Sequence, residues 1–396
     1  MTEEKKYTIL IGAGGTGGHI FPAITLAKKF KADGHKVVIV GTGNALEKKI
    51  FAQYDIETVF FKNRFKDTSG LKKYLVALTG PDLELRRYVA ELSPQLILGM
   101  GGYASFDLCK TASFLQTTEG AGLFDLENTV MPYLAIHEQN AMAGRVNRYL
   151  AATQARGVIE GLPDGFGWFT KIFKLETDDH IFLGNPVRDE ILNIDKIVRS
   201  FPDKSKKPRI FIMGGSQGAR SINSIVPKAI SLLMADLPVE IMHDSGEKDF
   251  EVVNDQYLEL GIDAKITRFN PNIEKAYEWA DLLISRAGAM TVSEASAIGL
   301  PSILIPFPHA MDNHQWFNAQ FLAKKGGAEV ILDKDLNPEI LSKTIKKIFS
   351  KESKLSLMKE AAFDETFVNA THNIAQFCYK MIEKPPLKEY LNSTRT

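Results

Sequence analysis

The sequence predicts an α/β protein built from two doubly wound parallel-sheet domains in tandem. Three observations support this. Short β-rich runs alternate with longer helix-like segments along most of the 396 residues, which is the rhythm of parallel strands joined by covering helices. The alternation starts over near the middle of the chain. Both halves open with the same device, a strand followed by a glycine-rich turn and a helix: Thr8-Ile-Leu-Ile-Gly-Ala-Gly-Gly-Thr-Gly-Gly18 in the first and Arg209-Ile-Phe-Ile-Met-Gly-Gly-Ser-Gln-Gly218 in the second.

The expected strands of the first half are 8–11, 37–40, 58–61, 96–98 and 133–136, short and mostly apolar as strands covered on both faces should be. Those of the second half are 210–213, 239–242, 265–268, 282–284, 302–305 and 328–332. Between the halves, residues 195–208 carry Arg199, Lys204, Lys206, Lys207, Pro202 and Pro208 without apolar periodicity, as a solvated linker would. The expected domains are therefore residues 1–195 and 208–359. A helix-like tail, 360–382, spaces Ala361, Phe367 and Ile374 for one face and ends before Pro385-Pro386.

Composition narrows the function classes. Forty-eight Lys plus Arg balance forty-eight Asp plus Glu, so no global cationic field exists to hold nucleic acid, and any anionic partner must be met locally. Cys109 and Cys378 are the only cysteines, too few for a disulfide framework and suited to a reducing compartment as small buried apolar residues. The apolar run 7–11 is too short for a signal-peptide core, so no export is expected. Other apolar runs fall far below the roughly 20 residues that span a bilayer.

Gly12-Ala-Gly-Gly-Thr-Gly17 satisfies the G-x-G-x-x-G string. A dinucleotide site also wants an acidic residue at the end of the second strand, and here that strand ends Val40-Gly41-Thr42-Gly43. A dehydrogenase is thereby disfavoured. The turn runs on to His19, a group able to accept a proton near neutral pH, before a helix expected to start near Ile20-Phe21-Pro22. The second turn, from Gly214 to Ser221, combines free amide groups, the Ser216 hydroxyl and a helix N-terminus, a set suited to a diphosphate. It lacks the Gly-Lys-Ser/Thr of a P-loop. A third candidate follows the 282–284 strand, where Gly288 and Ala289 leave room for close approach and Glu294 offers a carboxylate to vicinal hydroxyls.

His137-Glu-Gln-Asn140 stands at a strand's carboxyl end, where open sheets bind ligands, and Ala141 excludes a zinc H-E-x-x-H site. His309 and His314 are spaced wrongly for one helix face, and Asp333-Lys-Asp335 reads as a solvated charged turn, so no metal is expected. Residues 62–78 interleave Lys62, Arg64, Lys66, Lys72 and Lys73 with Phe65, Tyr74 and Leu78, a pattern open to either a solvated basic helix face or an anionic lipid surface. The segment 161–169 is apolar and loop-like, without an evident role.

Several strings in register give a resemblance. Gly14-Gly-Thr-Gly-Gly-His19, Gly101-Gly-Tyr103, His137-Glu-Gln-Asn140, Gly184-Asn-Pro-Val-Arg188, Gly214-Gly-Ser-Gln-Gly-Ala-Arg220, Arg286-Ala-Gly-Ala-Met-Thr-Val-Ser-Glu294 and Asp312-Asn-His-Gln315 resemble the signatures of glycosyltransferase family 28, in its peptidoglycan branch. The resemblance implies a GT-B fold, two Rossmann-like domains facing across a cleft, and inverting transfer of N-acetylglucosamine from UDP-N-acetylglucosamine to the 4-hydroxyl of lipid I. It implies no cofactor.

By that resemblance Ser216, Gln217 and Gly218 meet the diphosphate, and Arg188 and Asn270 flank the uridine. Glu294 takes the ribose, while Ala289, Met290, Thr291 and Gln315 read the sugar. Gly14, Gly15, Tyr103, His137 and Glu138 line the acceptor side; Thr16, Gly17, Gly18 and Asn140 serve acceptor or donor. His19 is the first candidate for the base and His137 the second. The tail helix packs back on the first domain, and residues 62–78 face the inner leaflet of the cell membrane, making the protein cytoplasmic and peripheral. Two departures flank the acceptor side: Asp107 replaces a usual proline, and residues 116–131 form a longer stretch. The rival readings are a family 28 enzyme acting on diacylglycerol and a silent UDP-sugar-binding protein.

Overall fold

The structure, a computed structural model, describes residues 5–65, 68, 76, 79–115, 132–167, 180–194, 207–215 and 218–384. The chain forms two compact units, one of residues 1–139, 143–186 and 369–396, the other of residues 140–142 and 187–368.

In the first unit the described elements are β1 (Thr8–Gly12), α1 (Gly17–Ala32), β2 (Lys36–Gly41), α2 (Ala45–Phe51), β3 (Glu57–Phe60), α3 (Leu83–Leu92), β4 (Leu96–Gly99), α4 (Gly102–Leu115), β5 (Tyr133–Glu138), α5 (Arg145–Thr153), β6 (Gly157–Glu160) and β7 (His180–Phe182). The sheet is parallel throughout, ordered β3-β2-β1-β4-β5-β6-β7. Strand order reverses between β1 and β4, so the first glycine turn stands at the switch point where such sheets bind ligands. Ile9, Ile11, Leu96 and Leu98 pack one face against Ile20, Ile24, Ala27 and Phe30 of α1, while Leu10 and Ile97 face Leu108, Cys109 and Ala112 of α4. Each such fully buried Leu, Ile or Phe contributes roughly 1.5–3 kcal/mol.

Helix α1 begins at Gly17, earlier than the expected start at residues 20–22, and carries Pro22 inside it, buried. Two glycines in a first turn are poor helix formers, but the apolar face against the sheet offsets them. Strands β6 and β7 were not expected from the sequence. Gly157 at the start of β6 packs closely on Met381: a Cβ there would lie 2.4 Å from its Sδ, so the methionine side chain would have to shift.

The second unit contains α6 (Asp189–Leu192), β8 (Arg209–Met213), α7 (Arg220–Met234), β9 (Glu240–Asp244), α8 (Phe250–Glu259), β10 (Ala264–Thr267), α9 (Ile273–Trp279), β11 (Leu282–Ser285), α10 (Ala289–Ile298), β12 (Ser302–Leu304), α11 (His314–Lys325), β13 (Ala328–Val330), α12 (Pro338–Phe349) and α13 (Glu352–Ala362). Its parallel sheet is ordered β10-β9-β8-β11-β12-β13. The switch point between β8 and β11 again holds a glycine turn. The internal repeat read in the sequence is therefore a repeat of topology.

The tail is two helices where one was expected. Helix α13 stays with the second unit; α14 (Glu365–Ile382) carries the chain into the first, where Ala370, Ile374, Ala375, Cys378 and Met381 join its core. Tyr379 Oη donates to Asp33 Oδ2 at 2.6 Å. Passage into the second unit falls at Val187, before the expected linker, most of which lies outside the described residues. Cys109 and Cys378 are both buried and free, and burial pushes the Cys378 thiol up to about 12.

Candidate active site

The first glycine turn leaves β1 at Gly12, which packs so tightly on Ser105 that a Cβ would lie 2.9 Å away. Gly15 is left-handed, with φ +87°. Thr16, the residue before α1, accepts at its carbonyl from His19 N at 3.1 Å and Ile20 N at 3.2 Å. The first-turn N–H groups of Gly17 and Gly18 have no acceptor within the helix and point outward. His19 packs against two left-handed glycines, Gly101 and Gly102, where added Cβ atoms would approach its ring to 3.2 and 3.5 Å.

A line of hydrogen bonds fixes the state of that ring. Gln139 Nε2 stands 3.2 Å from the His137 carbonyl, which only accepts, so this end of the amide is the NH2. The same nitrogen therefore donates to His137 Nδ1 at 3.1 Å, and His137 Nε2–H donates to Gly184 O at 3.1 Å. At the other end, Gln139 Oε1 accepts from His19 Nδ1–H at 2.9 Å. In the neutral ring this places the hydrogen on Nδ1 and the lone pair on Nε2. His137 is fully buried with both ring nitrogens engaged, and burial pushes its pKa down to about 4.

Neighbouring residues brace this line. Asn185 Nδ2 donates to Gln139 O at 3.0 Å, and Gly161 lies so close to Asn185 that a Cβ would meet its Oδ1 at 2.1 Å. Leu162 and Phe166 are buried, which gives the apolar segment from residue 161 a packing role as far as it is described. Glu138, 3% exposed, accepts from Gly144 N at 2.9 Å and Asn147 Nδ2 at 3.0 Å, anchoring the start of α5. Asn140 belongs to the second unit, where its Oδ1 accepts from Asn318 Nδ2 at 3.1 Å. Tyr103 is the second residue of α4, and its side chain lies outside the described residues. Sequence reading did not single out Gln139, Asn147 or Asn185, although two of them fall inside quoted motifs.

Asp107, in place of the usual proline, is paired. Arg64 Nε donates to its Oδ2 at 3.0 Å and Arg64 Nη2 to its Oδ1, while Nη1 reaches Thr79 Oγ1 and Gly80 O at 2.8 Å. Arg64 is thus tied within the first unit to Asp107, Thr79 and Gly80. Lys66, Lys72, Lys73, Tyr74 and Leu78 lie outside the described residues, as do residues 116–131.

In the second unit, Gly214 and Gly218 enclose the second turn. A Cβ on Gly214 would lie 2.2 Å from Ala219 N, and one on Gly218 2.6 Å from Ser245 O; Gly218 N closes the turn onto Gly215 O at 2.9 Å. Ser216 and Gln217 lie outside the described residues. The loop behind it is pinned by Asn223, whose Nδ2 donates to Ser245 O and Asp249 Oδ2 at 2.8 Å and whose Oδ1 contacts His243 Nε2 at 3.1 Å.

Glu294, expected to be free, is anchored. Arg188 Nη2 donates to its Oε1 at 3.0 Å and Tyr277 Oη to its Oε2 at 3.0 Å. Burial and the Glu294 charge hold the Tyr277 hydroxyl protonated, well above its ordinary range. Each carboxylate oxygen keeps a second lone pair for a ligand hydroxyl. Tyr277 was invisible to sequence reading, being one aromatic among many.

Ala289, Met290 and Thr291 are the first three residues of α10, after the Gly288 cap, so their N–H groups are outward-facing orphans. Gln315 Oε1 accepts from Phe307 N at 2.9 Å, which leaves the amide NH2 to donate. Just before it, Asp312 and Asn313 are left-handed, with φ 51° and 55°. Asn270 Oδ1 closes a local turn onto Asn272 N at 3.0 Å. Asp333 is not a solvated turn residue: Ser221 Oγ donates to it at 2.7 Å and Arg286 forms an ion pair with it.

Buried histidines give a pH signature. His137 and His243 are held neutral by burial, at about 4 and about 3 against an ordinary 6.5. Between pH 6.5 and those values the unfolded chain binds protons that the folded one refuses, so stability is complete above pH 6.5 and falls as pH drops. Each contributes on the order of a few kcal/mol at roughly 1.4 kcal/mol per pH unit of displacement. Asp244, raised to about 6 by burial, opposes them, stabilising towards acid. The urea midpoint is expected to fall between pH 7 and 4.5, less so in His137→Gln; a midpoint that holds steady contradicts this.

Two parallel-sheet units, each with a glycine turn and an open helix N-terminus at its switch point, are the architecture of the GT-B glycosyltransferases. The chain belongs to glycosyltransferase family 28: the family's N-terminal domain matches residues 9–159 and its C-terminal domain residues 209–374. The UDP-N-acetylglucosamine--N-acetylmuramyl-(pentapeptide) pyrophosphoryl-undecaprenol N-acetylglucosamine transferase of Dechloromonas aromatica is 36% identical over 94% of this chain and 98% of its own. The enzyme of the same name from Pseudomonas putida is 35% identical over 94% and 97%. The crystal structure of Acinetobacter baumannii MurG superposes with a TM-score of 0.73 at 26% identity, over 94% of this chain and 99% of that one.

Proposed function

We infer that this enzyme transfers N-acetylglucosamine from UDP-N-acetylglucosamine to the 4-hydroxyl of lipid I, forming lipid II with inversion at the sugar carbon. The observation that carries this reading is the likeness to curated relatives of that activity, which runs through both units at 34–36% identity.

Inversion requires the acceptor oxygen to bond C1 as the C1–O bond to UDP breaks. The hydroxyl proton needs a base and the departing diphosphate needs donors. His19 Nε2 is that base, with Gln139 and His137 setting its tautomer. Gly14, Gly15, the outward N–H groups of Gly17 and Gly18, and Tyr103 take the acceptor. Gly218, Ser216, Gln217 and the start of α7 cradle the diphosphate; Arg188 and Asn270 flank the nucleoside, and Glu294, fixed by Tyr277, takes the ribose hydroxyls. The first turn of α10 and the Gln315 amide read the N-acetylglucosamine.

Among the described residues no helix is long and apolar enough to cross a membrane. The basic and apolar residues from 62 to 78 would meet an anionic leaflet from the cytoplasmic side. The test is transfer from UDP-N-acetylglucosamine to a lipid I analogue in excess EDTA, with co-sedimentation on anionic and neutral vesicles. Product is expected without metal, and pelleting with anionic vesicles only. UDP binding without product refutes the acceptor assignment, and equal pelleting refutes the electrostatic membrane face.

A further inference from the structure

Glu47, in α2, is fully buried, yet it is neither in the sheet core nor in any motif of the family resemblance. Its carboxylate accepts five hydrogen bonds. Oε2 takes the backbone N–H groups of Thr42 at 2.7 Å and Gly43 at 2.8 Å. Oε1 takes Thr42 Oγ1 at 2.8 Å, Asn44 Nδ2 at 2.6 Å and, from the glycine turn of the proposed acceptor site, Gly15 N at 2.8 Å. Four donors belong to the turn just before α2; the fifth ties in the glycine turn that follows the neighbouring strand β1. Gly15 has no atom within 4 Å of where a Cβ would stand, so packing does not hold it.

We propose that Glu47 is a positioning residue for transfer: it fixes the Gly15 peptide and through it the direction of the Gly17 and Gly18 N–H groups and of His19. This rests on the acceptor reading of the first glycine turn. Charge alone argues the other way, since a carboxylate beneath a turn that receives a diphosphate repels it. The two ideas therefore predict opposite signs for a neutral isostere.

Glu47→Gln discriminates with some selectivity. The amide has one acceptor oxygen, best placed opposite the two rigid backbone donors of Thr42 and Gly43. Its NH2 then faces Thr42 Oγ1, which can rotate to accept, Asn44 Nδ2, and Gly15 N–H, a donor that cannot reverse. The variant thus loosens Gly15 most. The expected result is a fall of tenfold or more in kcat/KM for a lipid I analogue, with the donor KM and UDP affinity within twofold of wild type. Asn44→Ala, which removes the helix cap of Glu47 N and one Oε1 bond but spares Gly15, should stay within threefold.

Unchanged acceptor kinetics in folded Glu47→Gln overturn the proposal, as does tighter acceptor binding or an equal loss in Asn44→Ala. If Glu47→Gln does not fold, Gly15→Ala perturbs the same peptide from the other side, in open space but at a left-handed φ. It should reproduce the acceptor-selective loss, and wild-type kinetics there sink the idea equally. Failure of the wild-type enzyme on lipid I is a separate outcome, and counts against the functional reading itself.

Discussion

His19→Ala is expected to lower turnover a hundredfold or more and to leave UDP affinity within about twofold of wild type. A positioned general base supplies roughly 10²–10⁴ in rate, and the Gln139–His137–Gly184 line spends three hydrogen bonds on one tautomer of one ring. The split follows from placement. His19 belongs to the first unit, whereas Arg188, Glu294 and the second glycine turn belong to the other. Steady-state turnover with a lipid I analogue, beside calorimetric titration with UDP, checks both halves. Near-normal turnover removes His19 as the base; a parallel loss of UDP affinity means the substitution reached the donor unit and the role is structural.

The second large effect is at Glu294. Glu294→Ala is expected to weaken UDP binding and raise the donor KM by about two orders of magnitude, because the ribose loses its carboxylate. It also removes one partner of the partly buried Arg188 guanidinium, whose side chain is 24% exposed beside a carboxylate that is 8% exposed. Removing one partner of a buried pair costs about 3–5 kcal/mol, and the remaining exposure of Arg188 places the loss towards the low end. Glu294→Gln separates the two terms: it keeps an acceptor for Tyr277 or Arg188 and should recover much of the stability while leaving donor affinity impaired. An unchanged donor KM in both variants refutes the ribose role.

The strand rhythm, the restart at Arg209 and the two glycine turns were legible because each is local. A strand covered on both faces must be apolar over consecutive residues, and a turn that approaches another backbone must lose its Cβ. The same locality explains the errors at element ends. The start of α1 was misplaced because Gly17 and Gly18 read as turn residues, and only the packing of Ile20, Ile24 and Phe30 on the sheet makes them helical.

Candidate residue types for the proposed chemistry could be named along the chain: His19, the His137 motif, Glu294, Gln315. Their states could not. Whether His137 or His19 is open to a proton depends on Gln139, 120 residues from His19, and on a carbonyl 47 residues beyond His137. Glu294 was expected to be free and is held by Tyr277 and Arg188; Asp333 was expected in solvent and is paired with Arg286; Glu47 drew no notice and gathers five donors. Periodicity and turn chemistry are encoded in neighbouring residues, so sequence specifies the two sheets and the kind of groups at their edges. Tautomer, ion pairing and burial arise from atoms brought together across tens to hundreds of residues, and they exist only once the chain has closed on itself.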